Sequence, residues 1–563
     1  MQIRKGYDML EKLKKHKLII GIILLSVIYF ILTSVQNPIF YYNAGYDDLY
    51  ILISAMSILD IDWLGPFSGV TLTKGPGAPI FIAIANGLGL SLMQAQFLFY
   101  IGACILFVHT LKHVIKTDWV RLMIFAVILF NPVMYDVELL RVYRDNINSS
   151  LLLYVIACGF GIFFHYKEKP KKIVPYMIGF GVFATWMAIT REEAIWIAPF
   201  TIGSSVITVF FILFDKECTE KMKKVLLYFI PIVIYCFTIA IICLLNKIAY
   251  GEFIRIENSS KPWKDFMKAV SSVDVEEPNI LVPLSREAME KLYEVSPSFA
   301  ELREYFESED GMGFADAGEV EDQIDAGWLS WAIISAVHGQ GYDTDLKTMN
   351  NYYRRVTAEV NQAYEEGRLK KEDKPASIFE KQNLEKLFEN LEKAFDLQVG
   401  MNNIALKIGE DTFYAENPDF PKEREDVFRE ITGNTSTNSK TYHYKMDEIK
   451  FNALTGITKV YETFSKPIFF IALAIYVFEI MRFFFIKPRF ANYPQLIILT
   501  SLIMLHLIRL FVIAYTQTAL CPAINVMYLS STYSVQFAFE ILSVIFGIEG
   551  LMNMLKYARG KNK

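Results

Sequence analysis

The chain has 563 residues, of which 53% are hydrophobic and 15% aromatic, and its mean hydropathy is +0.28. This composition excludes an ordinary soluble globular protein, because soluble domains contain fewer apolar residues. The net charge of −5 offers no basic surface for a nucleic-acid partner. We predict an all-α polytopic membrane protein with about ten transmembrane helices, since several apolar runs reach the roughly 20 residues that cross a bilayer.

Apolar runs predict the spans in chain order. They lie at residues 18–35, 92–112, 120–135, 147–164, 173–190, 194–214, 225–245, 466–486, 494–514 and 532–555. The first run is long for a signal-peptide core, so we expect it to be retained as a span. Basic segments at 4–17, 112–121, 167–172 and 216–224 favour a plasma-membrane protein with both termini in the cytoplasm.

One further apolar segment, at residues 79–90, does not fit this threading. A full crossing there would place the basic loop at 112–121 outside the cell, against the distribution of Lys and Arg. We therefore predict a re-entrant or interfacial helix for this segment.

Charge divides the chain into two transmembrane modules and one soluble domain. Residues 247–463 contain 26 Lys+Arg and 42 Asp+Glu, whereas the remainder has an excess of basic residues. We predict an extracytoplasmic soluble domain at 247–463, a size sufficient for its own core. It separates an N-terminal transmembrane catalytic module, 1–246 (first outer loop 36–91), from a C-terminal transmembrane module, 464–563. Apolar residues at three- and four-residue spacing predict helices at 285–293, 352–367 and 378–397 in this domain.

An acidic pair, Asp47-Asp48, stands in the first predicted outer loop, followed by Lys74 in the sequence Lys-Gly-Pro-Gly-Ala-Pro. A carboxylate at a membrane face can take a proton from an incoming hydroxyl or amine, or bind a metal. The alternative is an interfacial aspartate that only ends a span. The charged residues of the other outer loops favour the functional interpretation.

Two other outer loops carry charge beside apolar sequence. Arg141, Arg144 and Asp145 would share one face if their segment is helical, and Arg191 is followed by Glu192-Glu193. Ionisable groups at the hydrocarbon edge are costly, so they usually point into a cavity or pair with each other. Because a guanidinium presents a planar fork that suits phosphate, these residues are candidates for phosphate or substrate binding. Mutual pairing as salt bridges at the rim is the alternative.

Other motifs are weak or missing. The sequence has no CxxC knuckle, GxxxxGK[ST] loop, GxSxG elbow or HExxH pair, which argues against a nucleotide-driven transporter and a zinc peptidase. Asp60-Ile61-Asp62 offers DxD spacing, so a divalent cation, Mg²⁺ or Mn²⁺, stays open as a cofactor. Charged residues of the later spans, including His506 and Arg509, are predicted to pair structurally.

The first-loop aspartate, the turn from Lys74 to Pro79 and the Arg- and Asp-bearing second outer loop resemble the GT-C superfamily of membrane glycosyltransferases. Protein O-mannosyltransferases and lipid A aminoarabinose transferases belong to this superfamily. The resemblance covers roughly residues 18–250, and the large domain after the seventh span also resembles that architecture. The chain departs from the family at the turn, where glycines replace part of a run of prolines.

The resemblance implies a polyprenyl-phosphate sugar donor. Asp47 or Asp48 would act as the base, and Lys74 and the second-loop residues would contact the donor phosphate or the acceptor. The expected function is therefore transfer of a sugar to an extracytoplasmic acceptor, which is a cell-envelope glycan, lipid or protein of a bacterial cell. The alternatives are a transporter or flippase for a lipid-linked sugar, and a non-catalytic membrane scaffold or receptor.

Overall fold

The computed structural model describes residues 17–40, 45–373, 376–406, 422–433, 445–485 and 493–561. Within these ranges the chain forms helices and turns, with isolated β-bridges and no strand, which confirms the all-α class. The basic N-terminal segment lies almost entirely outside the described residues.

The first half of the chain is a series of mostly apolar helices. They are α1 (Lys17–Thr33), α2 (Tyr50–Leu59), α3 (Gly77–Gly87), α4 (Leu92–Thr110), α5 (Asp118–Leu129), α6 (Val137–Leu140), α7 (Asn148–Phe164), α8 (Pro170–Thr190), α9 (Ala198–Phe214), α10 (Lys221–Leu226) and α11 (Phe229–Tyr250). A π-helical turn, Gly45–Leu49, precedes α2, and 3₁₀ turns at Arg144–Ile147 and Glu192–Ile197 lead into α7 and α9.

The second half contains polar helices followed by three long apolar ones. They are α12 (Lys261–Val270), α13 (Arg286–Val295), α14 (Pro297–Ala300), α15 (Arg303–Phe306), α16 (Glu309–Asp316), α17 (Ala326–Gly339), α18 (Leu346–Glu365), α19 (Lys381–Gly400), α20 (Lys422–Thr432), α21 (Lys445–Phe485), α22 (Tyr493–Ala519) and α23 (Val526–Lys561). The three helices predicted in the polar segment are confirmed as α13, α18 and α19.

Among the described residues, eight helical segments are long and apolar enough to cross a membrane. Each overlaps one of the ten predicted spans. The other two predicted spans correspond to shorter helices, α1 with 17 residues and α5 with 12. The segment predicted to be re-entrant or interfacial forms α3, whose 11 residues extend about 16 Å, well short of the roughly 30 Å of a hydrocarbon core.

Helix α7 is the central helix of the bundle. It packs against α4, α8 and α23, and nearly all of its residues are buried. In α11, by contrast, few of the apolar residues are buried. The Ser149 hydroxyl donates to the Ser530 carbonyl at 2.9 Å, which ties the start of α7 to α23. The 3₁₀ turn that leads into α7 therefore lies at the centre of one end of the helix bundle.

The polar segment has its own hydrophobic core, which includes two residues of the first loop, Leu64 and Leu72. Two hydrogen bonds join the same parts. The Glu257 amide donates to the Leu72 carbonyl at 2.8 Å, and the Gly69 amide donates to Asp343 Oδ2 at 3.0 Å. The polar segment is thus seated directly on the loop that carries the acidic pair.

Both domain boundaries proposed from the sequence fall within continuous helices. Helix α11 runs on to Tyr250, and α21 is a single helix of 41 residues, which makes it about 62 Å long. The chain is therefore continuously helical across both boundaries, with Pro467 inside α21 close after the second one.

Candidate active site

The acidic pair lies on the π-helical turn Gly45–Leu49, and its two carboxylates have different surroundings. The Asp48 side chain is fully buried, whereas 30% of the Asp47 side chain is exposed. Arg141 Nε and Nη2 each lie 2.7 Å from Asp48 Oδ1, and Nη2 also lies 3.6 Å from Asp47 Oδ2. One guanidinium therefore holds both acids, and of the two only Asp47 faces a space that a substrate can reach.

Lys74 approaches Asp47 from the opposite side. Its Nζ contacts Asp47 Oδ1, only 3% of its side chain is exposed, and it lies 5.0 Å from the ring centre of Trp331 on α17. Burial lowers the pKa of the Lys74 ammonium well below its ordinary value, and nearby guanidinium groups, above all that of Arg144, lower it further. The polar domain thus contributes an aromatic side chain that covers this lysine.

The glycines that follow Lys74 are required by close packing. A Cβ added at Gly75 would lie 2.1 Å from the Ile189 carbonyl oxygen, and one at Gly77 would lie 2.2 Å from Thr190 Oγ1. The turn is therefore pressed against the last residues of α8. This contact brings Lys74 close to the residues that follow α8.

Those residues pair with the second loop. Arg144 Nη1 donates to Glu192 Oε2 at 2.6 Å, and Glu192 Oε1 accepts from the Gly75 amide at 2.9 Å. Arg191 lies 3.2 Å from Asp145 and 2.6 Å from Glu193. These residues thus form mutual salt bridges around the turn after α8.

The segment 141–147 is not one helix, so the expected shared face does not form. Arg141 and Tyr143 adopt extended backbone conformations, and a 3₁₀ turn begins at Arg144. Backbone bonds between Ile39 and residues 140 and 142, at 2.8 and 2.9 Å, hold the extended part. The side chains of Arg141 and Arg144 consequently reach different acids, yet both remain at the same site.

Tyr143 is the centre of this arrangement, and sequence reasoning missed it. Its ring centre lies 4.7 Å from the Arg141 guanidinium, 5.5 Å from that of Arg144, 5.6 Å from Lys74 Nζ and 5.8 Å from the Arg191 guanidinium. An aromatic face attracts cations, so the ring gathers four positive side chains. The available signal was an aromatic residue between two arginines, in the sequence Arg141-Val142-Tyr143-Arg144.

Arg509 joins the site from α22. It donates two hydrogen bonds to the Tyr528 carbonyl, at 3.0 and 2.6 Å, and lies 5.3 Å from the Trp196 ring. The Arg191 guanidinium lies 5.2 Å from the Tyr528 ring. Arg509 was predicted to be a structural partner within the spans, but its position is at the site.

We define the charged cluster as five carboxylates and five cations. They are Asp47, Asp48, Asp145, Glu192 and Glu193, with Lys74, Arg141, Arg144, Arg191 and Arg509. The cations are 3–16% exposed, whereas the Asp47, Glu192 and Glu193 side chains are 28–38% exposed. A substrate therefore meets carboxylates first, with a layer of buried positive charge behind them.

An apolar cavity of about 340 Å³ lies between α9 and α22. One end is formed by Pro199, which closely follows the turn that carries Glu192 and Glu193, and by Ile508, the neighbour of Arg509. Ile207 and Met504 also line it, and both are partly exposed on the apolar surface of the bundle. The cavity thus opens on that surface, and its lining residues Pro199 and Ile508 lie close in sequence to members of the charged cluster.

The DxD turn is not part of this site. Asp60 and Asp62 are exposed and follow the far end of α2, which puts the ten-residue helix, about 15 Å long, between them and Asp47. Among the described residues, no group of three or more His, Cys, Asp or Glu side chains is arranged to hold a metal ion.

No protein-family model matches the chain, and no curated protein matches it significantly. Among solved structures, the crystal structure of ArnT from Cupriavidus metallidurans bound to undecaprenyl phosphate is similar, with 8% sequence identity, 95% of this chain and 77% of that chain covered, and a TM-score of 0.28. A TM-score this low does not establish a common fold, so the functional conclusion depends on the geometry of the charged cluster.

Proposed function

We propose that the protein is a membrane glycosyltransferase that moves a sugar from a polyprenyl-phosphate donor to an extracytoplasmic acceptor, with Asp47 as the base. The observation that carries this proposal is one accessible carboxylate, Asp47, held between the buried cations Lys74 and Arg141 beside an apolar cavity. A base, buried positive charge and an apolar channel are the three elements that a lipid-phosphate sugar requires.

The two aspartates have different roles in this mechanism. Asp47 accepts the proton of an acceptor hydroxyl while that oxygen attacks the anomeric carbon of the donor sugar. A new bond forms from that oxygen to the anomeric carbon, the bond from that carbon to the phosphate oxygen breaks, and the lipid phosphate leaves. A single displacement of this kind inverts the carbon. Asp48, fully buried on Arg141, is a positioning residue that fixes the guanidinium.

The leaving phosphate gains negative charge, and buried cations stabilise it best because they are already oriented and partly shielded from water. In the unliganded cluster Glu192 occupies Arg144 and Glu193 occupies Arg191. A phosphate that binds either guanidinium takes the place of that carboxylate. The two glutamates thus keep the arginines paired when no donor is bound.

The lipid tail has a matching surface in the apolar cavity between α9 and α22. Since the cavity opens on the membrane-facing surface and Ile508, the neighbour of Arg509, is among its lining residues, we expect a prenyl chain to enter it from the bilayer with its phosphate directed to the cluster.

The test is lipid-phosphate release by the purified protein in nanodiscs, with a panel of polyprenyl-phosphate sugars and cell-envelope acceptors. Asp47→Asn should lower kcat by about 10²–10⁴-fold, the usual contribution of a general base, and thermal unfolding measured alongside separates this loss from the destabilisation expected when the buried Lys74 loses its carboxylate. Asp60→Asn, the same change at an exposed aspartate, should leave turnover unaffected. Release that persists in Asp47→Asn would show that Asp47 is not the base, whereas no release with any donor, together with glycans that stay unchanged on gene deletion, would favour a transporter or a scaffold instead.

A further inference from the structure

A second cavity, of about 250 Å³, lies where α1 ends and α4 begins, separate from the charged cluster. Its polar lining is made of hydroxyl and amide side chains: Thr33, Ser34, Gln36, Asn37, Ser91, Gln94 and Thr432. The rings of Phe30 and Phe97 provide apolar surface at the same cavity. Among the described residues that line it, none carries a charge at neutral pH.

Gln36 is the unusual member of this lining. Its side chain is only 3% exposed, and neither its amide oxygen nor its amide nitrogen has a hydrogen-bond partner. A buried polar group without a partner is unfavourable, and most such groups in proteins are satisfied. An amide of this kind beside a cavity is satisfied by water or by a ligand that supplies both a donor and an acceptor.

The chemistry of the lining restricts that ligand. A hydroxyl group both donates and accepts, so a polyhydroxylated molecule can satisfy the two atoms of the Gln36 amide at once. A phosphate or carboxylate only accepts, and it would find no cation in the lining. Lys450 touches the rim through Ser34 Oγ at 3.1 Å, but it is paired with Asp447 at 3.2 Å.

The cavity volume of about 250 Å³ lies just below the roughly 300–1,000 Å³ of most ligand pockets. It therefore has room for one small unit only. The phenyl rings of Phe30 and Phe97 can pack against the apolar C–H face of a sugar, while the amides and hydroxyls bind its hydroxyl groups. Both surfaces of a pyranose therefore have a counterpart in this cavity.

The cavity is also connected to the charged cluster through a short piece of chain. Asn37 and Pro38 line it, and the next residue, Ile39, forms the backbone bonds that hold the segment ending in Arg141. A ligand bound at Gln36 thus lies on the segment that positions the cation shared by Asp47 and Asp48.

We infer that this cavity binds one uncharged sugar unit through Gln36, and that the unit belongs to the acceptor. The assignment to the acceptor rests on the proposed function, whereas the binding of a neutral sugar does not. The acceptor class is accordingly a neutral glycan or glycoside.

The test is saturation-transfer NMR on the full chain in nanodiscs, with the methyl glycosides of glucose, mannose, galactose and N-acetylglucosamine as probes. Wild type should bind at least one of them saturably. Gln36→Leu should weaken that binding at least tenfold and leave the melting temperature unchanged or higher, because the lost amide had no partner. Gln96→Leu is the matched control, since Gln96 on α4 is also buried with an unpaired amide nitrogen and does not line this cavity.

Three results would overturn the inference: no binding of any probe by wild type, equal binding by Gln36→Leu, or tighter binding of a methyl glucuronide than of the neutral glycosides. The proposed function fails separately. If wild type gives no transfer with any donor while the Gln36-dependent binding is intact, the sugar site stands and only its assignment to the acceptor is lost.

Discussion

The turn that carries Lys74 offers a sharp test of the site, through Gly75→Ala. The added Cβ would lie 2.1 Å from the Ile189 carbonyl oxygen and 2.8 Å from the Ile189 carbonyl carbon. Ordinary contacts of this type exceed 3 Å, so the turn must move away from α8 by about 1 Å. Overpacking of this kind typically costs about 1–3 kcal/mol of stability.

The same movement alters the charged cluster. The Gly75 amide would draw away from Glu192 Oε1, which it now contacts at 2.9 Å, and Lys74 would shift relative to Asp47. Since a misplacement of about 1 Å can lower a reaction rate on the order of 10²-fold, we expect kcat/KM for lipid-phosphate release to fall by about that factor.

The assay combines thermal unfolding with lipid-phosphate release, both in nanodiscs. Gly87→Ala is the matched control, because the Cβ added at that glycine of α3 would have Leu59 Cδ2 as its nearest neighbour at 4.0 Å, and it should behave as wild type. If Gly75→Ala unfolds at the wild-type temperature and turns over within threefold of wild type, the close contact between the turn and α8 does not position Lys74.

Two further predictions concern stability. Arg141→Met removes the guanidinium that is bonded to the buried Asp48, which should cost about 3–5 kcal/mol of unfolding free energy in denaturant titrations. Arg303→Met, which breaks half-exposed pairs, should cost much less; equal losses would contradict the burial argument. Burial raises the pKa of Asp136 to about 7, from the unfolded value of roughly 4. The stability that the protonated Asp136 contributes is therefore fully present below pH 4 and is lost as the pH rises to 7. Wild type should therefore lose more stability between pH 4 and pH 7 than Asp136→Asn, and parallel pH profiles of the two proteins would refute this.

Apolar runs and charge were enough to predict the all-α membrane class and the helices of the polar segment. They also singled out the residues of the cluster, because a charged side chain at the hydrocarbon edge is costly in any fold. Asp47 and Lys74, 27 positions apart, could be grouped on that ground alone.

The geometry within the cluster could not be predicted from the same patterns. The difference between a buried Asp48 and an accessible Asp47 depends on a π-helical turn, for which the sequence has no periodic signal. The extended backbone at Arg141 depends on pairing with Ile39, about a hundred positions earlier. Trp331 and Arg509 reach the site only through tertiary packing, which local spacing does not contain.

The spread of the charged cluster along the chain has a consequence for biogenesis. Its members lie between positions 47 and 509, and Arg509 is held by the carbonyl of Tyr528. During synthesis, Asp145 and Arg191 reach the membrane interface early. Hundreds of further residues must be translated before the last two helices emerge from the ribosome. The nascent protein must therefore hold these charges in an incomplete bundle, and insertion of α22 and α23 is the step that closes the site.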